Sequence, residues 1–260
     1  MMRWTTVSAL AAFSVVGAGL AAPVSWTGLG DGVSWSDPAN WSTNSLPGPA
    51  DDVTINVGAD PLIQIAGVSP VINSLTSAEQ LRINSNATVT VGTATCTAPV
   101  FIAGGTIQGG TWTFSGGANL RVVTNIEGRL NNPSITGDII YVDTGSRLRA
   151  LSGTTYSAMR FRGSSQSVAF EPGTVINAPI VGDQGFVNAY VETFANGTLT
   201  VGPSGVVGTL PGASGTVTLG AQWWYSATTA LTINGRFTHA ANGQATINPS
   251  SLTISASGLV

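Results

Sequence analysis

The sequence predicts an all-β protein folded as a right-handed parallel β-helix, or β-solenoid, with an N-terminal tryptophan-rich cap and a preceding signal peptide. Three observations predict this fold. Short strands rich in Val, Ile, Leu and Thr recur from Val53 onward, Gly-rich turns separate them, and a compact aromatic segment precedes them. A β-sandwich or barrel would show similar spacing, but strands this short, recurring in loosely similar units, favour stacked coils. Coils of about 20 residues would give about ten turns.

The first predicted element is a signal peptide over residues 1–22. It has a basic start at Arg3, an apolar run from Val7 to Leu20, and a small-residue cleavage site near Ala22. A membrane anchor is the alternative, but the apolar run is short for the roughly 20 residues that a span needs. We therefore expect a secreted or cell-surface protein whose mature chain has no membrane span.

The second element is a cap segment over residues 23–52. Trp35, Trp41, Pro47 and Pro49 give it aromatic bulk and turns immediately before the first strand. An uncovered end coil would offer its unpaired backbone groups to another chain, so a solenoid needs such a cover. We expect the two tryptophans to pack over the first coil.

The third element is a run of β-helix repeats over residues 53–260. In its strands, apolar residues alternate with Thr or Asn, so one side faces a core and the other faces water. The clearest examples are Val53–Val57, Ala87–Val91, Thr198–Val201, Thr216–Leu219 and Leu252–Ile254. Because the chain stops inside this strand pattern, we expect the repeats to be truncated at the C-terminus.

The opening motif Trp35-Ser-Asp-Pro-Ala-Asn-Trp41, with Leu46-Pro-Gly-Pro-Ala-Asp-Asp-Val-Thr-Ile55 after it, resembles the start of secreted bacterial β-helix repeat proteins. These proteins are related to autotransporter passengers and include planctomycete-type surface proteins. The repeat style of the middle of the chain, for example Gly104-Gly-Thr-Ile-Gln-Gly-Gly-Thr-Trp112, is similar to theirs. The resemblance implies a β-helix at the cell surface, and it carries over no catalytic residues.

The composition excludes some functions. Charged residues make up 8% of the chain, the net charge is −3, and all nine basic residues are arginines without a basic cluster. Nucleic-acid binding needs several cations along one surface, so we exclude it.

Cys96 is the single cysteine and cannot form an intrachain disulfide. We expect it to be a small core residue rather than a reactive thiol.

A catalytic constellation is not apparent in the sequence. Asp51 and Asp52 are adjacent, so in a strand they would point to opposite faces, and we interpret them as a turn into Val53. His239 is the single histidine, and no Gly-x-Ser-x-Gly motif between a strand and a helix supplies a serine nucleophile for it to activate. We expect no enzymatic activity, no metal site and no cofactor, although a polysaccharide-degrading β-helix stays open as an alternative.

The candidate ligand-binding residues are aromatic or basic, and their predicted ligand is a carbohydrate. They are Trp223, Tyr225, Arg147, Arg149, Arg160 and Arg162. Residues two apart share a strand face, so each arginine pair could line up with Glu127, Asp138, Asp143 or Glu171 on neighbouring coils. A solvated row of ion pairs is favoured over an anionic-glycan site. Ordinary strand alternation, with Trp223 and Tyr225 on one side and Trp224 in the core, is favoured over stacking of these rings on a sugar.

Thr-x-Thr pairs are a further pattern, because stacked threonine rows on flat solenoids can order water as ice-binding proteins do. Such pairs occur at Thr88–Thr90, Thr93–Thr95, Thr111–Thr113, Thr198–Thr200 and Thr216–Thr218. Their irregular spacing along the sequence argues against ice binding, and Thr is common on strands in any case.

The sequence as a whole predicts a structural or adhesive stalk or passenger segment. Carbohydrate binding is the alternative, and the expected partners are extracellular glycans or other surface proteins.

Overall fold

The computed structural model describes residues 22–123, 125–220, 225, 227–239 and 243–254, and for 243–245 the backbone only. The predicted signal peptide lies outside these residues up to position 21, as do Trp223 and the last six residues of the chain. The described chain is almost entirely strand and turn, with one 3₁₀ turn at Pro38–Asn40. Within these ranges we find no helix with the length and apolar character that crossing a membrane requires.

The strands are numbered in chain order. The first thirteen are β1 Ala22–Ser25, β2 Asp51–Ile55, β3 Leu62–Ile65, β4 Val71–Ser77, β5 Gln80–Asn84, β6 Thr88–Cys96, β7 Val100–Ala103, β8 Thr106–Gln108, β9 Thr111–Phe114, β10 Leu120–Val122, β11 Glu127–Asn131, β12 Ser134–Thr136 and β13 Ile140–Asp143. The others are β14 Arg147–Ala150, β15 Met159–Arg162, β16 Ser164–Phe170, β17 Thr174–Ile176, β18 Pro179–Gly182, β19 Gly185–Thr193, β20 Gly197–Val201, β21 Val206–Thr209, β22 Ala213–Leu219, β23 Thr229–Ile233, β24 Arg236–Thr238, β25 Gly243–Ile247 and β26 Ser251–Ile254.

These strands stack into three parallel sheets. The first follows the order β1-β2-β4-β6-β8-β11-β14-β16-β19-β22-β25, and β9 and β12 branch from it beside β6. The second runs from β3 to β24, and the third is β17-β20-β23-β26. Every pairing between these strands is parallel. The chain is therefore a β-solenoid of about nine turns, which confirms the predicted fold class.

Coil length varies more than the predicted repeat of about 20 residues allows. Glu127 pairs with Arg147, 20 residues on, whereas Gly185 pairs with Ala213, 28 residues on. Because the connections absorb this variation, strands that are irregularly spaced in sequence still stack in register.

A continuous apolar core runs through the stack. One cluster of buried side chains extends from Val24 in the first strand to Phe237 in β24, and Cys96 belongs to it. Side chains such as Val89 and Leu148 point inward, while their neighbours on the strand point outward. Burial of each Val, Leu, Ile or Phe stabilises the fold by about 1.5–3 kcal/mol, so stability accumulates coil by coil.

The tryptophan segment packs at the first coil, as expected of a cap. Trp41 lies between Trp26 and Trp35 with ring centroids 4.9 and 4.7 Å away, both in edge-to-face geometry. All three indoles are buried, and the Trp41 Nε1 group donates to the Trp35 carbonyl at 2.9 Å. The Trp35 amide donates to the carbonyl of Gln64 in β3, which joins the cluster to the first coil.

Asn40 organises the polar part of this cap. Its buried Oδ1 atom accepts from the amides of Gly30 and Gly32, both at 3.0 Å. Its Nδ2 group donates to Asp31 Oδ1 at 2.8 Å and to the Ser34 carbonyl at 3.0 Å. Hydrogen bonds from Ser34, the Val33 amide and Asn40 hold the pKa of Asp31 well below its usual range. One amide side chain thus closes the loop that carries the tryptophans.

Candidate functional site

The candidate site is a cleft on the outer face of the first sheet, where β11 and β14 are neighbours. Glu127 pairs with Arg147 and Arg129 pairs with Arg149, while Gly128 and the buried Leu148 lie between them on the inward side. Strand alternation therefore projects four charged side chains from one face. Sequence spacing predicts that Arg147 and Arg149 share a face, and the structure agrees.

Glu127 is the centre of the charge network. Its Oε1 atom accepts from the Arg129 Nε group at 2.8 Å and lies 3.3 Å from Arg149 Nε. Its Oε2 atom accepts from the Tyr225 hydroxyl group. The Arg149 Nη2 group in turn donates to the Tyr225 hydroxyl oxygen at 3.2 Å. The four side chains form one connected network of hydrogen bonds and ion pairs.

Two aromatic rings hold the Arg149 guanidinium group. Its central carbon lies 4.6 Å from the Phe194 ring centroid and 5.1 Å from that of Tyr225, within cation–π range. The two rings contact each other with centroids 6.3 Å apart. Tyr225 lies in a bend between β22 and β23, not on a strand, so the prediction that strand alternation orients it is wrong for this residue.

These contacts shift two pKa values in opposite directions. Partial burial raises the pKa of Glu127, but hydrogen bonds from Tyr225 and Arg129 and the charges of Arg149 and Arg129 outweigh it, so the pKa is lowered. Burial, followed by the hydrogen bond to Glu127, raises the pKa of Tyr225 to about 12. At neutral pH Glu127 is therefore a carboxylate and Tyr225 a neutral phenol that donates to it.

The cleft beside this network has a volume of about 450 Å³. Three arginines and one glutamate line it, so the described lining carries a net charge of +2. The other lining residues are mostly small or polar, and they are Ser85, Asn86, Ala87, Thr88, Gly104, Thr106 and Ile126. The volume is in the range of about 300–1,000 Å³ that small-molecule sites occupy.

Arg160 and Arg162 do not join this cleft, because β15 belongs to the second sheet. Arg160 Nη1 lies 2.8 Å from Asp183 Oδ1, and Arg162 Nε lies 3.3 Å from the other oxygen of the same carboxylate. The Arg162 guanidinium also lies over the Tyr141 ring, 3.6 Å from its centroid. The structure thus divides the four arginines into two separate clusters, and Trp223 lies outside the described residues.

A second cavity of about 430 Å³ lies between the connection after β14 and strand β17. Tyr156 and Phe170 stack at its wall with ring centroids 6.5 Å apart, and no charged side chain lines it among the described residues. Sequence reasoning missed this cavity and the role of Phe194, because neither has a local signal: both depend on which coils become neighbours.

The other candidate residues have structural roles or remain apart from the cleft. Asp51 accepts from the Gly48 amide at 2.7 Å, and Asp52 accepts from Asn73 and Ser74 on the next coil. Burial raises the pKa of the Cys96 thiol to about 12. His239 is exposed just after β24. Within the described part of the chain, no three His, Cys, Asp or Glu residues converge in a way that could hold a metal ion.

Comparisons with protein-family models, curated proteins and solved structures gave no match to this chain.

Proposed function

We propose that this protein is a structural or adhesive β-solenoid, a stalk or passenger segment presented outside the cell, and that it has no catalytic activity. The observation that carries the proposal is the continuous apolar core, which runs from the capped first coil to β24. About nine turns, each about 4.8 Å high, make a stiff stack about 43 Å long. A stack stabilised coil by coil in this way is suited to displaying surfaces at a distance from an anchor point.

The distribution of the acidic residues supports a non-catalytic role. Asp143 pairs with Arg121 at 2.6 Å, Asp183 with two arginines, and Glu127 with two others. Glycoside hydrolysis needs two carboxyl groups facing one sugar bond, one of them able to hold a proton. In these clusters each carboxyl group is ion-paired with one or two arginines, and the lowered pKa of Glu127 makes it a poor proton donor.

The experiment expresses the full chain in a bacterial host and follows its location by cell fractionation and by protease treatment of intact cells. We expect export, together with a protease-resistant product that releases no reducing ends from pectin, alginate or xylan. Retention in the cytoplasm would contradict surface display. Release of sugar products, abolished in an Asp183→Asn or Glu127→Gln variant, would contradict the non-catalytic assignment.

Carbohydrate binding is a second candidate function, favoured by one observation: the cleft of Arg129, Arg147 and Arg149 beside Tyr225 carries surplus positive charge. The planar arginine fork matches the carboxylate of an acidic sugar, and an aromatic ring next to it can cover a sugar face. The ligand class that fits is therefore an anionic glycan.

Titration with oligogalacturonate, with a neutral xylan oligomer as reference, tests this candidate. We expect weak, salt-sensitive binding of the acidic oligomer that Arg149→Gln abolishes. Arg160→Gln is the matched control, because it also breaks an arginine–carboxylate pair but lies on the other sheet. Equal loss in both variants, or no binding by the wild-type protein, would remove this candidate and leave the structural proposal intact.

A further inference from the structure

We propose that the chain has an ice-binding surface on the outer face of four consecutive strands, β4, β6, β9 and β12. The surface, called the hydroxyl face below, is a two-column array of serine and threonine residues. One column is Ser74, Thr93, Thr111 and Ser134, and the other is Thr76, Thr95, Thr113 and Thr136. Thr54 of β2 extends the second column by one further strand.

The register that aligns these columns is continuous. Thr93 pairs with Ser74 on one side and Thr111 on the other, and Thr95 pairs with Thr76 and Thr113 in the same way. The next strand continues both columns, since Ser134 pairs with Thr111 and Thr136 with Thr113. The irregular sequence spacing of Thr-x-Thr pairs is therefore no argument against an array, because connections of different length return each strand to the same register.

The inward residues decide which side of each strand forms this face. Leu75, Ala94, Trp112 and Ile135 alternate with the hydroxyl residues and are all buried in the core. Each inward side chain locks its strand, so the hydroxyl residues on either side of it must point outward. Five of the eight outward side chains are exposed and the other three are half-buried.

The array is also ordered laterally. Neighbouring parallel strands lie about 4.8 Å apart, and residues i and i+2 on a strand lie about 6.6 Å apart. Threonine has few χ1 rotamers, so its methyl and hydroxyl groups take fixed positions. The Thr113 and Thr136 hydroxyl groups lie 3.2 Å apart, and the Thr155 hydroxyl extends the first column by donating to Ser134 at 3.0 Å. The backbone positions of the two columns thus repeat in two dimensions before any ligand arrives, while hydrogen bonds within the face pair some of its hydroxyl groups.

The chemistry of the face selects its ligand. None of its eight residues is charged, although the Asp52 carboxylate borders the first column, where it pairs with Ser74 and accepts from the Ser74 hydroxyl. Trp112, between the columns, points into the core and cannot stack on a sugar. A surface of alternating methyl and hydroxyl groups instead binds a layer of water, with positions dictated by the array. Ice is itself a periodic array of hydrogen-bonded oxygen atoms, so water held in a regular pattern by the face can join the crystal. The partner that this repeat fits is the ice lattice.

The experiment measures thermal hysteresis and inhibition of ice recrystallisation by the purified full chain. Thr95→Lys places a long, strongly hydrated charge at the centre of the face, and we expect it to abolish both activities. Thr95→Val keeps the shape and removes one hydroxyl group, so part of the activity should remain. The matched control is Thr198→Lys on β20, an exposed strand threonine whose neighbour in register is Ala230, and it should keep full activity.

Circular dichroism melting of each variant verifies that the fold is retained. Absence of both activities in the wild-type protein would overturn the proposal, as would equal loss in Thr95→Lys and Thr198→Lys. Wild-type binding to crystalline cellulose or chitin that Thr95→Lys abolishes would assign the face to a crystalline glycan instead. A dimer in analytical ultracentrifugation that Thr95→Lys dissociates would assign it to a second copy of the chain.

Discussion

The cap offers the sharpest test of how this fold is held together, through the variant Asn40→Ala. The Asn40 side chain makes four hydrogen bonds while fully buried, to two glycine amides, one carboxylate and one carbonyl group. A net hydrogen bond contributes about 0.5–1.5 kcal/mol, and unsatisfied buried partners cost more. We expect the substitution to lower the free energy of unfolding of the cap by about 2–4 kcal/mol, with the lower value if a water molecule replaces the amide group.

The loss should be local, since each coil of a solenoid contacts only its neighbours. Native-state hydrogen exchange is the appropriate assay: protection of the Gly30 and Gly32 amides, which donate to Asn40, should collapse while β14 and β16 keep theirs. Asn40→Asp should be comparably harmful, because it removes both donors and places a second carboxylate beside Asp31.

The control is Asn56→Ala, because the Asn56 side chain is exposed and makes no hydrogen bond within the described residues. A loss below about 0.5 kcal/mol for Asn40→Ala, the range of ordinary surface substitutions, together with unchanged amide protection, would refute the reasoning.

Three further outcomes are expected. Leu148→Ala, at a buried core position, should lower the free energy of unfolding by about 2–5 kcal/mol in urea titrations, whereas Leu29→Ala, at a site 83% exposed, should change it by less than about 0.5 kcal/mol; similar losses would contradict the assigned core. The lowered pKa of Asp31 contributes stability above its unfolded pKa of about 3.9, and this contribution disappears as pH falls toward the folded pKa. Asp31→Asn should therefore flatten the acid-unfolding curve, and an unchanged curve would count against the cap network. Cys96, buried with its pKa raised to about 12, should react with a thiol reagent only after unfolding; rapid labelling of the folded protein would place the thiol at the surface.

The strands themselves were largely predictable. The predicted strand Thr216–Leu219 is the last part of β22, and Leu252–Ile254 is the last part of β26. Alternation of apolar residues with threonine reports which side of a strand is buried, and this property is local. Trp35 and Trp41 were likewise predictable as a cap. Large aromatic side chains just before the first strand can be buried against the open end of the first coil, and both are buried there.

The sites were less predictable, and the arginines show why. The two-residue spacing of Arg147 and Arg149 correctly places them on one face, and the same spacing holds for Arg160 and Arg162. Spacing within a strand does not say which sheet that strand enters. The first pair faces Glu127 and Tyr225, and the second faces Asp183 on a different sheet.

The sequence by itself determined the fold class, the cap and the inward and outward side of each strand, because all three follow from residues close together in the chain. Only the tertiary structure decided which outward residues are neighbours. The connections between strands differ in length, so the pairing of strands on neighbouring coils cannot be read from the sequence. This pairing places Thr95 between Thr76 and Thr113, and the stacking of the coils brings Tyr225 to Arg149. In a solenoid, alternation within each strand decides which residues enter the core. A surface site is formed by residues from different coils, so only the stacking of the coils brings its residues together.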